Sequence, residues 1–143
     1  MKKIGILGLL VSIVLTMLVS CGGIDWESDV EKIKNINFNL VKESESEKDL
    51  LDASKSFNTE IKFEGGDFEV EVIRFANYNK TVEDDYYSCQ FIEFASEEDA
   101  ESYYNLYIET RSSTNEYKLK IHGSIVIITN SEEAMKTLRG KFK

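Results

Sequence analysis

The sequence predicts an α+β domain, with a mixed, mainly antiparallel sheet carrying its helices on one face. Two observations lead there. Short apolar runs of period two alternate with stripes of period 3.6, and the strands tend to come in adjacent pairs joined by glycine-containing turns. A chain of 143 residues, 42% hydrophobic and free of proline, also has enough apolar material for one self-sufficient core.

The elements follow in order. Trp26, Val30 and Ile33 at i, i+4, i+7 predict a first helix over about 25–35. Ile36, Phe38 and Leu40 alternate as a strand. Leu50, Ala53, Ser54 and Phe57 suit a second helix capped by Ser46 or Ser44. Ile61 and Phe63, Gly65-Gly66, then Phe68, Val70 and Val72 read as a hairpin with a glycine turn, and the polar stretch from Asn77 to Asp85 reads as a loop. Tyr86 to Phe94 is a further strand. Ser96-Glu97-Glu98-Asp99 resembles a capping box ahead of a helical stripe of Ala100, Tyr103, Tyr104, Tyr107 and Ile108. Tyr117, Leu119 and Ile121 pair across His122-Gly123 with Ile125 to Ile128, and Ser131 caps a last helix bearing Ala134, Met135 and Leu138. The order α-βαββ-βαββ-α also admits a reading as two tandem βαββ halves, about 36–76 and 86–129.

In that layout Glu60, Lys62, Glu69, Glu71, Lys118, Lys120 and His122 occupy a solvated sheet face opposite the apolar alternation. Glu69, Glu71, Lys118, Lys120 and His122 are therefore the candidate binding face. Ion pairs across strands, each worth about 0.2–1 kcal/mol, explain the same charges without any ligand. His122 is the only histidine and falls in a predicted tight turn, with no partner that would make it a general base. Cys89 lies mid-strand among aromatic and apolar neighbours, which suits a small core residue better than a reactive thiol. The run Glu83-Asp84-Asp85 offers oxygen ligands, but its spacing is not that of a calcium loop, and a solvated charge run accounts for it. No phosphate loop, nucleophile elbow or paired-cysteine metal motif is present, so the sequence implies no cofactor, no metal and no catalytic residue. Most of the aromatics fall on buried phases; the pattern does not place Trp26, Tyr78 and Tyr86 inside, and Trp26 is close enough to Cys21 to reach a membrane interface.

The N-terminus carries the most specific signal. Lys2 and Lys3 precede an uncharged run from Ile4 to Ser20, which ends at Leu18-Val19-Ser20-Cys21-Gly22-Gly23. A short basic region, an apolar segment and small residues at its end are the parts of a secretory signal. Leu18-Val19-Ser20-Cys21 resembles the lipobox of bacterial lipoproteins. That resemblance covers only the first 23 residues. It implies diacylglyceryl transfer to the Cys21 thiol and cleavage before it, so 1–20 is a signal peptide, 21–23 a lipidated cysteine with a glycine linker, and 24–143 one extracytoplasmic domain. A seventeen-residue run also sits at the lower edge of spanning length, roughly 17–25, so an uncleaved anchor is the competing reading. Only Gly22 and Gly23 separate Cys21 from the domain, a reach of roughly 7 Å, which predicts a domain held against the membrane.

Charge narrows the partners. The chain has 17 basic and 26 acidic residues, and removing Lys2 and Lys3 leaves 15 against 26, or −11. Such a balance excludes a phosphate-binding nucleic-acid footprint. It also means that acyl chains, at about 0.8 kcal/mol per buried CH₂, and not charge, would hold the domain at an anionic leaflet. The sequence thus points to a lipid-anchored, monomeric, non-catalytic domain on the outer side of the cell membrane, binding a protein or peptide at the cell surface. An envelope hydrolase using dispersed carboxylates and an immunity-type protective lipoprotein are the alternatives.

Overall fold

The computed structural model describes residues 23–111 and 116–143, so the lipobox and Cys21 lie outside the described residues. Chain order is α1 (Trp26–Asn35), β1 (Asn39–Glu43), α2 (Glu47–Phe63), β2 (Val72–Val82), β3 (Asp85–Phe94), α3 (Glu97–Arg111), β4 (Lys118–His122), β5 (Ile125–Thr129) and α4 (Glu132–Leu138). The five strands form one sheet in the order β1-β2-β3-β5-β4, every neighbouring pair antiparallel. The chain is an α+β protein, as its periodicities predict.

Side-chain caps start the helices. Asp25 accepts from the Ser28 N–H, Ser46 and Asp49 form a reciprocal capping box, and Ser96 and Ser131 accept from the Asp99 and Ala134 N–H groups. The acidic first turns of α2 and α3 add a favourable dipole interaction.

Two elements differ from the sequence reading. Ile61 and Phe63 belong to α2 and not to a hairpin. Phe57 and Ile61, at i and i+4, pack into the core, while Phe63 is 87% exposed, so the helical period wins over the apparent alternation. Gly65 follows the helix end at φ +87°, and any Cβ on Gly66 would come within 2.6 Å of Ile61, so these glycines stop a helix and do not turn a hairpin. Asn77–Val82, expected as a loop, is the second half of β2. It pairs with β3 through a tight turn at Glu83-Asp84, with Glu83 in the left-handed region at φ +56°. Five strands result where six were expected. The unit that recurs is therefore α-β-β (α2-β2-β3, then α3-β4-β5), not βαββ.

The layers differ from that expectation as well. Helices cover both faces of the sheet. Val72, Phe75, Ile92, Phe94, Leu119, Val126 and Ile128 point to α2 and α3. Ala76, Tyr78, Cys89, Phe91 and Ile127 point the other way, into a second core closed by α1 and α4. Tethers bind α2 to β2: Asn58 accepts from the Val70 N–H at 2.7 Å and donates to its carbonyl at 3.0 Å, and Ser54 Oγ accepts from the Val72 N–H. The outer edge of β4 is occupied by the C-terminus, where Lys143 and Leu119 exchange two backbone hydrogen bonds. Among the described residues no helix is long and apolar enough to cross a membrane.

Candidate functional site

A cleft of about 670 Å³ lies between α2, α3 and the sheet. Its floor comes from the strand positions that face α2 and α3: Phe75 and Asn77 on β2, Ser88 and Gln90 on β3, and Ile128 on β5. Its walls are Asp52, Ser56, Phe57 and Glu60 of α2, Tyr103, Tyr107 and Arg111 of α3, and Tyr117 just before β4, with Lys42 of β1 at the rim. The volume falls within the roughly 300–1,000 Å³ of small-molecule sites, and the mix of rings and a few polar groups fits that class.

The floor changes character along its length. Ile92 and Phe94, further along β3, are sealed beneath the helices, whereas Gln90 and Ser88 on the same face are half-exposed. Asn77, paired with Gln90 across the two strands, has its Oδ1 buried with no hydrogen-bond partner among the described residues. An unmet buried acceptor of this kind costs about 1–3 kcal/mol. Ser88 is fixed from behind, since its N–H donates to Asn130 Oδ1 and its carbonyl accepts from Thr129 Oγ1.

The charged groups of the wall are already committed. Arg111 donates through Nε and Nη2 to Glu64 Oε1, at 3.2 and 2.9 Å, and lies 3.1 Å from Glu60 Oε1. Its guanidinium stacks 4.8 Å over the Tyr107 ring. Burial works against the Arg111 charge, but the bonds to Glu64 and Tyr107 more than offset it, so its pKa is raised and it stays protonated. Burial raises the Glu60 pKa, against the pull of Arg111. Tyr103, whose hydroxyl reaches Glu60 at 3.5 Å, is raised well above an ordinary phenol, first by burial and then by the Glu60 charge. Asp52 is paired with Lys48 at 2.7 Å, and that hydrogen bond lowers its pKa. Phe57, Phe94 and Tyr103 interlock at centroid distances of 5.2–6.0 Å and set the inner wall.

The candidate binding face read from the sequence does not assemble. Lys118, Lys120 and His122 do share one face of β4, but it is the face opposite the cleft, and Lys120 is only 4% exposed. Gly140 lies against the Lys120 stem, and burial lowers the Lys120 pKa while Asp29 pulls it up. Glu69 and Glu71 stand on the connector before β2, where Glu69 pairs with Lys62 and the Glu71 N–H donates to Asp99. Glu60 and Lys62 are on α2 and not on a strand. Covering helices on the second face remove the solvated sheet surface on which the grouping depended.

Trp26 also differs from its expected place. At 7% exposure it packs edge-on against Phe91 at 5.6 Å, with the Arg74 guanidinium 4.2 Å over its ring, so it is a core residue and not a membrane contact. Cys89 is fully buried, and burial pushes its thiol up to about 12, in keeping with a structural role. In sequence Asn77 falls in a stretch that reads as a loop, and Tyr103 and Tyr107 read as core. The available signal was a pair of polar residues, Asn77 and Gln90, at strand positions whose neighbours are apolar on both sides. No family model, no curated protein and no solved structure matches this chain.

Proposed function

We propose that this chain is a lipid-anchored extracytoplasmic protein that binds a small polar molecule in the cleft between α2, α3 and the sheet. The anchor rests on Leu18-Val19-Ser20-Cys21 and its preceding apolar run. The observation that carries the binding role is the buried, unmet Asn77 Oδ1 on a polar floor between aromatic walls. A fold selected for stability alone would fill those positions with apolar groups.

The placement of the cleft is consistent with an anchored receptor. Gly23, the first described residue, lies against His122 at the β4–β5 turn, level with Glu93 on β3 through Ile125. Ser88 is five residues back along β3, roughly 17 Å away at strand rise. A chain tethered at Cys21 thus presents the cleft on the end remote from its tether.

Binding is favoured over hydrolysis by the state of the carboxylates. Asp52 and Glu60 are eight residues apart on one helix, a rise of about 12 Å, and each already has a cationic partner. Paired-carboxylate hydrolysis of glycosides needs two such groups about 5–9.5 Å apart. Labelled palmitate fed to cells tests the anchor: label on the wild-type chain and none on Cys21→Ala is expected, and an unlabelled wild type would remove the lipoprotein reading.

A further inference from the structure

Resting on the cleft as the binding site, we propose that its ligand is a neutral saccharide of one to three rings. The floor is the face of the sheet and not its edge, and the backbone groups of β2, β3 and β5 there are used in the strand ladders. A ligand on this floor therefore meets side chains only. An extended peptide, which is recognised mainly through backbone pairing at a sheet edge, gains little here. What the cleft offers is two carboxamides, Asn77 and Gln90, the hydroxyls of Ser56 and Ser88, and the small accessible parts of Phe57, Phe75, Tyr103 and Tyr107, whose rings are otherwise packed in the core.

A sugar ring matches that set. Its C–H faces are apolar and lie well on aromatic rings, while its edge carries hydroxyls that donate and accept at once, as carboxamides do. Asn77 is part-exposed on the floor, and a sugar hydroxyl that displaces the packing over its Oδ1 would give that acceptor its partner. Neutrality follows from the bound state of the charges. Arg111 is claimed by Glu60 and Glu64, and Asp52 by Lys48, so an anion finds only Lys42 at the rim and a cation finds only carboxylates already paired.

The test is saturation-transfer NMR on the full chain in a zwitterionic, sugar-free detergent. The probes are diacetylchitobiose, cellobiose and maltose, with a blocked trialanine peptide alongside. At least one disaccharide should receive saturation on the C–H protons of a ring face. Asn77→Leu and, separately, Gln90→Ala should each weaken its affinity roughly tenfold, the loss of about one hydrogen bond. Melting curves establish that each variant folds, and Gln90→Ala carries the test if Asn77→Leu does not. Saturation of the peptide but of no sugar would overturn the saccharide and leave the cleft as a site for another class. Sugar binding unmoved by the variants would place the sugar elsewhere and overturn the proposal. Silence from every probe would overturn both the saccharide and the binding role of the cleft.

Discussion

Strand β3 shows the two faces of the sheet side by side. Cys89 and Phe91 point to α1 and α4 and are completely buried, while Ser88 and Gln90, their immediate neighbours, point to the cleft and remain half-exposed. Both faces have helices over them and a core beneath. On the closed face Tyr87, Cys89 and Phe91 form an unbroken apolar run between Asp85 and Glu93 at the strand ends, and Tyr78, Phe91 and Trp26 lock in edge-to-face contacts. On the cleft face the apolar positions are confined to Ile92 and Phe94, and Ser88 and Gln90 take over at the cleft between α2 and α3. One strand with one alternation thus builds a structural face and a receptive one, and the difference lies in which covered positions refuse apolar side chains.

The largest expected effect is on the closed face. Phe91→Ala removes a fully buried ring against Trp26 and Tyr78 and should cost about 3–5 kcal/mol in denaturant unfolding. Gln90→Ala, one residue away, should cost less than about 1 kcal/mol. Equal losses would erase the distinction between the faces.

Asn77→Leu should go the other way. Removing an unmet buried acceptor ought to raise stability by about 1 kcal/mol, while the same change impairs binding. A loss of stability instead would mean that Asn77 is there for packing.

A smaller and pH-dependent effect belongs to Lys120, the one lysine buried on the closed face among the described residues. Burial lowers its pKa in the folded chain. The unfolded chain therefore keeps that proton to higher pH, and stability should rise as pH climbs toward the ordinary lysine value of about 10.4. Lys120→Met should flatten that rise and add roughly 1 kcal/mol at neutral pH, in line with the cost of a poorly paired buried charge. An unchanged pH profile would show that the ammonium reaches water.

Much of the architecture was legible in the sequence. The capped helices and the β4–β5 hairpin follow from cap residues and period, which are local signals. The sheet's second cover was not legible, because α1 and α4 are far apart in sequence and meet only through the fold. The site was least legible of all. Asn77 to Asp85 reads as a loop in sequence because polar residues usually mark turns. Here the polarity of Asn77 belongs to a cleft floor, and only its pairing with Gln90 on β3 reveals that. Lys118, Lys120 and His122 do alternate as read, but alternation alone gives no information on whether a helix lies over that face. The aromatic and apolar neighbours of Cys89 predict a core position, and it is buried there.

The most direct measurement compares adjacent positions of β3 with a neutral maleimide at pH 8, the site read by peptide mass. In the native chain Cys89 should be protected, since its thiol is buried and pushed up to about 12. In a Cys89→Ala background, Gln90→Cys should label faster by on the order of a thousandfold, as an accessible thiol of ordinary pKa would. Equal protection at both positions would mean that the cleft is closed and that the two faces do not differ.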